Sequence, residues 1–432
     1  MNDSGHGPLQ ARLQQVLRDN SAGRWTKPSP SQYPHQWNWD SAFISIGLAT
    51  FDWPRAVAEV ESLLESQWRE GMVPHVRYDP SHVQDYFPGP DRWPGAQPHV
   101  ARSGIQTSGI TNPPVVASAA LLIGRRQPDE GLRHAFWHRV LPPLGAYLRW
   151  FMTRRRLGNG LMFASVHPWE GGWDNSPRWD HLAAAGLKPQ RPYVRLDTRH
   201  VSAGQRPAGR DYDSYLSLVE ILDACDYDIE RYAERSPFVV NDVVIDALWF
   251  RAAVDLAEIA AALGVEAPIT AAEMSDFAQE FERVHWDPAA GTYLDFDLVA
   301  GSRIEVPTAA GLVALGSGLA PRARASAIWD AYRAGRPVTP VATVPPWSPR
   351  FEPGRYWRGP VWICVNWLVA VGLEQSGLRA AAEDLRTVTT ALVAEGGPGE
   401  YFDPISREAL GSAGFSWSAA LALDLLAPRG EV

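Results

Sequence analysis

Cysteine and long apolar runs are scarce in this sequence, and their scarcity limits the kind of protein that it encodes. Only two cysteines, Cys225 and Cys364, occur in 432 residues, so a disulfide framework is excluded and a reducing compartment is expected. No apolar run reaches the roughly 18 residues that a membrane-spanning helix needs. The first residues also lack the basic start and apolar stretch of a signal peptide. These absences predict a cytoplasmic protein with no membrane contact.

Lysine is almost missing, and positive charge does not gather in any one stretch. Lys27 and Lys188 are the only lysines among 40 basic residues, and the formal net charge is −9. Without a basic patch, no nucleic-acid partner is expected. Patterns such as HExxH, CxxC and a glycine-rich phosphate loop are absent as well. We therefore expect neither a metal nor a cofactor.

Tryptophan, by contrast, is abundant. The chain contains 19 of these residues, which is about three times the number expected from average usage. The stretch HPWEGGWDNSPRWD, residues 167–180, holds three tryptophans and three carboxylates. A globular core avoids this mixture because Asp and Glu are rarely buried without a partner. The stretch therefore indicates a ligand site rather than ordinary core.

Apolar residues recur at three- and four-residue spacing along most of the chain, and this periodicity predicts about thirteen helices and an all-α fold. No linker or shift in composition divides the chain, so we expect one catalytic domain over residues 1–432. Two long segments lack the periodicity, at about 71–112 and 165–210, and we expect these loops to cap a pocket. The predicted helices cover 8–19, 40–50, 53–70, 113–126, 129–155, 211–226, 240–264, 270–284, 306–316, 321–334, 359–373, 377–395 and 415–427.

A carbohydrate ligand explains why indoles and carboxylates occur together. A pyranose ring presents a C–H face that stacks on an indole, and its hydroxyl groups suit carboxylates. Cleavage of a glycosidic bond requires two carboxyl groups with different pKa values, and an apolar wall keeps one of them protonated. The segment 167–180 is therefore expected to contain a general acid.

Five motifs occur in order between residues 33 and 404: YPHQWNWDSAF, TSGITNPPVVA, HPWEGGWDNSPRWD, RYWRGPVW and EYFDP. Together they resemble the bacterial mannosylglycerate and glucosylglycerate hydrolases of glycoside hydrolase family 63. The resemblance implies an (α/α)6 barrel, which is a toroid of helical hairpins with long loops over the active site. It also implies hydrolysis with inversion at the anomeric carbon.

The resemblance assigns roles to individual residues. It places the general acid on Asp174 and the general base on Glu400, with carboxyl groups about 6.5–9.5 Å apart. Arg206 would bind the carboxylate of a small acid through two parallel hydrogen bonds, and Tyr212 would bind a hydroxyl group of that acid.

Further residues are expected to shape the pocket. Tyr86 and Gln106 lie in the segment that closes over the small acid in the family. Trp173 stands where the family often has methionine, so it is expected to alter the hexose pocket slightly. The substrate is further expected to contact Tyr33, Trp37, Trp39, Asp40, Trp169, Gly172, Tyr356, Trp357 and Trp362.

Simpler interpretations remain open for the acids. Asp174 precedes Asn-Ser-Pro, which is typical of a turn or a helix cap. Glu400 could be a solvated acid, with Asp403 as the nearest rival for its role. Asp40 could cap the helix that follows it, either instead of binding a ligand or in addition to doing so.

The resulting hypothesis is an inverting hydrolase of a small-molecule glycoside, either 2-O-α-mannosylglycerate or 2-O-α-glucosylglycerate. No motif separates the two hexoses. A glucosidase of the same family that acts on a neutral disaccharide such as trehalose is the first alternative. A sugar epimerase with histidine bases and a sugar-binding toroid without activity are the others. Assembly into a homo-oligomer is left open.

Overall fold

The computed structural model describes residues 7–427, and helices, including the 3₁₀ helices, form about half of it. Each of the thirteen predicted helices has a counterpart, and two five-residue helices, α6 and α8, were not predicted. The helices are α1 (Gly7–Asp19), α2 (Asn38–Leu48), α3 (Trp53–Leu64), α4 (Val115–Arg125), α5 (Glu130–Arg154), α6 (Asp180–Ala184), α7 (Gly209–Ala224), α8 (Ile229–Ala233), α9 (Val243–Leu263), α10 (Ala271–His285), α11 (Ala310–Val313), α12 (Arg322–Arg333), α13 (Ile363–Gln375), α14 (Arg379–Gly396) and α15 (Ser416–Leu426).

Two predicted helices are shorter than the periodicity indicated. The helix expected over 53–70 ends at Leu64, and just beyond it the Ser66 hydroxyl donates to the Leu63 carbonyl at 2.6 Å. The chain then turns so that the Trp68 ring stacks on His99. The helix expected over 306–316 is only α11 followed by a 3₁₀ turn at Ala314–Ser317.

The helices form two layers that differ in burial. All eleven residues of α2 are buried, and α13 and α15 are similarly apolar on all sides, as expected of helices inside a protein. α2 contacts α4, α4 contacts α9, and α9 contacts the 3₁₀ turn after α11. That turn contacts α13, α13 contacts α15, and α15 contacts α2 again, so the inner contacts close into a ring.

Other helices lie outside this ring. α1 packs on α15, α3 on α2, α5 on α4 and α9, α10 on α9, α12 on α11, and α14 on α13. α3 is typical of them, because it buries one face and exposes the other. Its first turn is capped by the Asp52 carboxylate, which accepts from the Arg55 N–H at 3.2 Å.

The strands are short, and among the described residues only β4, β5 and β6 lie in or at the edge of the two long irregular segments. β3, β4 and β5 form one antiparallel sheet, and β6, β7, β10 and β11 form another. No helix within residues 7–427 is long and apolar enough to cross a membrane. The strands are β1 (Ser21–Ala22), β2 (Trp25–Thr26), β3 (Gln36–Trp37), β4 (Val76–Tyr78), β5 (Gln106–Thr107), β6 (Ala164–Ser165), β7 (Val240–Asn241), β8 (Trp286–Asp287), β9 (Thr292–Tyr293), β10 (Phe296–Asp297), β11 (Ser302–Arg303), β12 (Tyr401–Phe402) and β13 (Ala409–Leu410).

Candidate active site

A cavity lies where the N-terminal ends of several inner helices meet. Trp39 and Asp40 belong to the first turn of α2, Trp362 directly precedes α13, and Trp417 lies in the first turn of α15. Helix N-termini carry partial positive charge, which favours acidic side chains and anionic ligands at this end of the ring. The cavity is lined by Tyr33, Trp37, Trp39, Asp40, His75, Tyr86, Asn112, Trp169, Gly172, Asp174, Arg206, Tyr212, Tyr356, Trp357, Trp362, Glu400, Phe415 and Trp417.

All the site residues expected from the sequence are in this lining except Gln106. In β5 the Thr107 side chain is buried whereas Gln106 is exposed, because successive side chains of a strand point to opposite faces. Gln106 instead lines an adjoining groove, which Tyr86 also lines. The contact of Gln106 with the small acid stays a prediction, which would involve this adjoining groove.

Tight turns bring Asp174 to the cavity. The Gly172 N–H donates to the Trp169 carbonyl at 3.1 Å, and the Ser176 N–H donates to the Trp173 carbonyl at 3.1 Å. Gly172 has φ +75°, and a Cβ atom there would lie 2.3 Å from the Trp39 ring. Only glycine fits this turn, because a side chain would be strained and would clash with the cavity wall.

The Asp174 carboxyl group faces the cavity. No other described residue donates a hydrogen bond to its carboxyl oxygens, and only the backbone N–H of Asp174 itself does so. The Tyr215 hydroxyl donates to the backbone carbonyl of Asp174 at 2.8 Å. Burial raises the pKa of Asp174 from 3.8 to about 7; Arg206 opposes this shift and Glu400 adds to it. About half of the Asp174 carboxyl groups are therefore protonated at neutral pH, and more of them below it, as a general acid requires. Asp174 does lie in the turn from Trp173 to Ser176, but the side chain that caps the following 3₁₀ turn is that of Ser176 and not that of Asp174.

Glu400 lies in the same cavity but is surrounded by donors. Its Oε1 accepts from the Tyr33 hydroxyl at 2.7 Å and from Arg206 Nη1 at 3.3 Å, and its Oε2 accepts from the Ser412 N–H at 2.9 Å. Burial raises the pKa of Glu400, while Arg206, Tyr33 and the Ser412 N–H all favour the ionised form. A Cβ atom at Gly411 would lie 2.4 Å from Oε2, so the chain passes close to the carboxylate. Glu400 is 1% exposed, which rules out the solvated-acid alternative.

Arg206 connects several of these groups. Its Nη1 donates to the Tyr33 hydroxyl at 2.9 Å as well as to Glu400, and its Nε donates to Asp197 Oδ2 at 3.3 Å. Its guanidinium carbon also lies 4.1 Å from the centroid of the Tyr356 ring. Nη2 has no hydrogen-bond partner within residues 7–427, so this nitrogen remains available to a ligand. The contact of Arg206 with Glu400 was not anticipated from the sequence.

Asp40 is a second acid in the cavity without a partner. It is 5% exposed, and no other residue in the described part of the chain donates to its carboxylate. Burial raises the pKa of Asp40 well above its usual range, and Glu400 and Glu59 act in the same direction. The alternative role as a helix cap is wrong, because α2 begins at Asn38 with Trp37 at the capping position and no side-chain cap. Asp40 instead suits sugar hydroxyl groups.

Stacked indoles form one wall. The rings of Trp357 and Trp362 are parallel within 3° with centroids 3.8 Å apart, and the Trp362 Nε1 donates to the Tyr356 carbonyl at 3.0 Å. Trp173 does not itself line the cavity. It stacks behind Trp357 at 5.3 Å, with the Arg178 guanidinium 5.0 Å from its ring. Its effect on the pocket is thus limited to supporting Trp357.

Sequence reasoning missed four residues of the lining: His75, Asn112, Phe415 and Trp417. Asn112 belongs to the motif TSGITNPPVVA, and its buried Oδ1 has no hydrogen-bond partner in the described residues. Burial lowers the pKa of His75 to about 3, so its ring is neutral. No pattern in the sequence marked His75. Within residues 7–427 no group of three or more His, Cys, Asp or Glu side chains could hold a metal ion.

Comparisons with known proteins find similarity along nearly the whole chain. The family model for the mannosylglycerate hydrolase MGH1-like glycoside hydrolase domain matches residues 33–418. A mannosylglycerate hydrolase from Thermus thermophilus is 42% identical over 413 residues, which cover 95% of this chain and 98% of that protein. A glucosylglycerate hydrolase from Mycolicibacterium hassiacum is 36% identical over 440 residues, covering 97% of each chain.

A solved structure is similar as well. It is the crystal structure of a family 63 mannosylglycerate hydrolase, also from Thermus thermophilus, in complex with Tris and D-glycerate. The TM-score is 0.90 at 40% sequence identity, and the match covers 96% of this chain and 99% of that one.

Proposed function

The chain belongs to the mannosylglycerate hydrolase MGH1-like family of glycoside hydrolases, within family 63, and we propose that it hydrolyses mannosylglycerate, glucosylglycerate or both. The products are the free hexose and glycerate. The observation that carries this proposal is the pair of unlike carboxyl groups in one aromatic cavity. No other described residue donates to the Asp174 carboxyl group, and its pKa is raised to about 7, whereas Glu400 accepts three hydrogen bonds.

The helix contacts support an (α/α)6 barrel in one domain. The inner ring would consist of α2, α4, α9, α11 with its 3₁₀ turn, α13 and α15, and the outer ring of α1, α3, α5, α10, α12 and α14. The segments 71–112 and 165–210 would cap the pocket, since both supply residues to its lining. A cytoplasmic location and any homo-oligomer remain predictions from the sequence.

Asp174 is the proposed general acid. It donates its proton to the glycosidic oxygen as the bond to the hexose breaks, which gives glycerate a neutral hydroxyl group. A pKa of about 7 suits this step, because the carboxyl is protonated near neutral pH yet acidic enough to release the proton.

Glu400 is the proposed general base. It removes a proton from a water molecule that attacks the anomeric carbon from the face opposite the departing glycerate. The hydrogen bonds from Tyr33, Arg206 and the Ser412 N–H keep its carboxylate ionised and fix its direction. An inverting mechanism requires about 6.5–9.5 Å between the two carboxyl groups, which leaves room for the water.

The remaining lining would hold the two ends of the substrate. Asp40 accepts from hexose hydroxyl groups, and Trp357 offers an apolar face to the ring. Arg206 Nη2 would bind the glycerate carboxylate, with Tyr212 beside it. Arg206 is the one cation in the described lining, so an anionic aglycone has a defined place.

The test is hydrolysis of α-mannosylglycerate and α-glucosylglycerate by the wild-type chain, with proton NMR to identify the anomer that is released first. The β-hexose is expected, because inversion converts the α-linkage. Asp174→Asn and Glu400→Gln are each expected to lower kcat by about 10²–10⁴-fold. The ratio of the two wild-type rates gives the hexose preference.

Other results would contradict parts of the proposal. Release of the α-hexose would exclude the inverting pair. Cleavage of a neutral α-glucoside such as trehalose, with no cleavage of either glycerate compound, would favour the first alternative. An Arg206→Ala variant separates these cases further, because it should impair the charged substrates far more than a neutral one. Conversion of free mannose to glucose would indicate an epimerase.

A further inference from the structure

A buried carboxylate behind the cavity connects two of its walls. Asp197 does not line the cavity and is 6% exposed. Arg195 donates to its Oδ1 through Nε at 2.9 Å and to its Oδ2 through Nη2 at 2.7 Å. Arg206 Nε donates to the same Oδ2 at 3.3 Å. The Gln32 side chain holds the backbone carbonyl of Asp197 at 2.9 Å. One carboxylate thus receives hydrogen bonds from two guanidinium groups.

Each of these arginines in turn contacts a residue of the cavity. The guanidinium of Arg195 lies 4.0 Å from the centroid of the Tyr212 ring. Arg206 donates to Glu400 and Tyr33, as described above. Two partly buried cations this close would repel each other without an anion between them. Although burial opposes ionisation, Arg195 and Arg206 lower the pKa of Asp197, so it is that anion.

We propose that Asp197 is a positioning residue, which acts through Arg206 on Glu400 and through Arg195 on Tyr212. Since it rests on the proposed function, the inference deepens that function. Asp197 fixes the direction from which Arg206 approaches both the base and the substrate carboxylate. The selectivity for an anionic aglycone therefore depends on a residue that never touches the substrate.

The charge of Asp197 also reaches the general acid. The charged groups that shift the pKa of Asp174 are Arg206, Glu400 and Asp197. Asp180, Asp211 and Arg358 line a second, smaller cavity together with Asp174, and the titratable hydroxyls near it belong to Tyr86, Tyr215 and Tyr356. Of the charges, Asp197 and Glu400 raise the pKa of Asp174 and Arg206 lowers it. Removing the negative charge of Asp197 should therefore lower the pKa of Asp174. The alkaline limb of the kcat profile then moves to lower pH.

The experiment compares Asp197→Asn with Asp213→Asn in the full chain. Asp213 in α7 is the matched control. Like Asp197, it is held by the irregular segment 165–210, because it accepts from the Tyr193 hydroxyl at 2.7 Å and pairs with Lys188. Unlike Asp197, it does not contact Arg206. Kinetics are measured on the preferred glycerate glycoside and on a neutral aryl α-glycoside of the same hexose. The pH profile of kcat and the melting temperature are recorded for each variant.

Asp197→Asn is expected to lower kcat/KM on the glycerate glycoside by about tenfold to a hundredfold, as misplacement of a catalytic group by a fraction of an ångström does. KM should rise for that substrate but not for the neutral one. The alkaline limb should shift to lower pH. Asp197→Glu should restore part of the activity and the wild-type pH profile, and Asp213→Asn should change neither.

The inference fails if Asp197→Asn has wild-type kinetics on both substrates. It also fails if activity falls on both substrates equally, with an unchanged pH profile and a lower melting temperature, because Asp197 would then be purely structural. A wild-type chain that cleaves no glycoside overturns the proposed function itself, which distinguishes the two failures.

Discussion

Glu170 and Asp174 belong to the same irregular segment, and the fold surrounds their carboxyl groups in opposite ways. Glu170 is 1% exposed, and Arg155 donates to it through Nη1 at 3.0 Å and Nη2 at 2.5 Å. The Val166 and Thr111 N–H groups also donate to it, at 2.8 Å and 3.2 Å. Asp174, four residues later, receives no hydrogen bond on its carboxyl oxygens from any other described residue.

The two carboxyl groups therefore differ in role. Glu170 stabilises the loop, whereas the carboxyl group of Asp174 is available for the proposed reaction. Glu170 ties its segment to the C-terminal end of α5, next to Arg155, and to the segment before α4, at Thr111. The hydrogen bonds of Glu170 fix the backbone of this segment. Because of them, the following turn can place Asp174 in the cavity although no other described residue donates to its carboxyl group. A carboxyl group with partners would ionise and could not act as an acid near neutral pH. The unpaired state of Asp174 is thus a condition of its proposed role.

Removing the Glu170 charge should give the largest effect on stability. Glu170→Gln leaves Arg155 buried with an unpaired charge, which typically costs about 3–5 kcal/mol. The free energy of unfolding from denaturant titration checks this. Asp180→Asn is the control from the same segment, because Asp180 pairs with Arg350 and Arg358 at a side-chain exposure of 38%. It should cost less than about 1 kcal/mol. Equal losses of unfolding free energy in the two variants would show that the buried Glu170 stabilises the protein no more than the partly exposed Asp180 does.

Asp40 tests whether the comparison extends beyond one loop. It resembles Asp174 in lacking a partner, so Asp40→Ala should leave the free energy of unfolding unchanged or slightly higher. It should lower kcat/KM by up to about tenfold, because a typical hydrogen bond, here to a hexose hydroxyl group, contributes about 0.5–1.5 kcal/mol. Steady-state kinetics and denaturant titration of the same preparation measure both. A large loss of stability with normal kinetics would show that Asp40 stabilises the fold, as Glu170 does, and does not bind the substrate.

The helices could be predicted because their signal is local. α9 was expected over 240–264 and occupies Val243–Leu263, since its apolar periodicity is uninterrupted. α3 was expected to continue to residue 70 but ends at Leu64, because the contact of Trp68 with His99 directs the chain elsewhere. That contact depends on tertiary structure and leaves no periodic trace in the sequence.

The residues of the site also divide into those that a local sequence pattern marks and those that depend on tertiary structure. Roles could be predicted for Asp174 and Glu400 because each lies in a motif that resembles the family, HPWEGGWDNSPRWD and EYFDP, in which acids and aromatics are contiguous. The hydrogen bond between Arg206 and Glu400 joins residues that are 194 positions apart, and Arg206 is one of many arginines. The role proposed for Asp197 was equally hidden, because a buried Asp–Arg pair has no sequence pattern. Gln106 lies in the adjoining groove because strand alternation turns its side chain away from the buried face of β5.

The protonation state of Asp174 is the central claim, and infrared difference spectroscopy tests it directly. The carbonyl band of protonated carboxyl groups is followed from acidic to alkaline pH in the wild type and in Asp174→Asn. The subtraction is needed because burial also raises the pKa of Glu59 to about 7. The account predicts one carboxyl group that titrates with a pKa of about 7 and disappears in Asp174→Asn. Identical titrations of wild type and variant near neutral pH would contradict it.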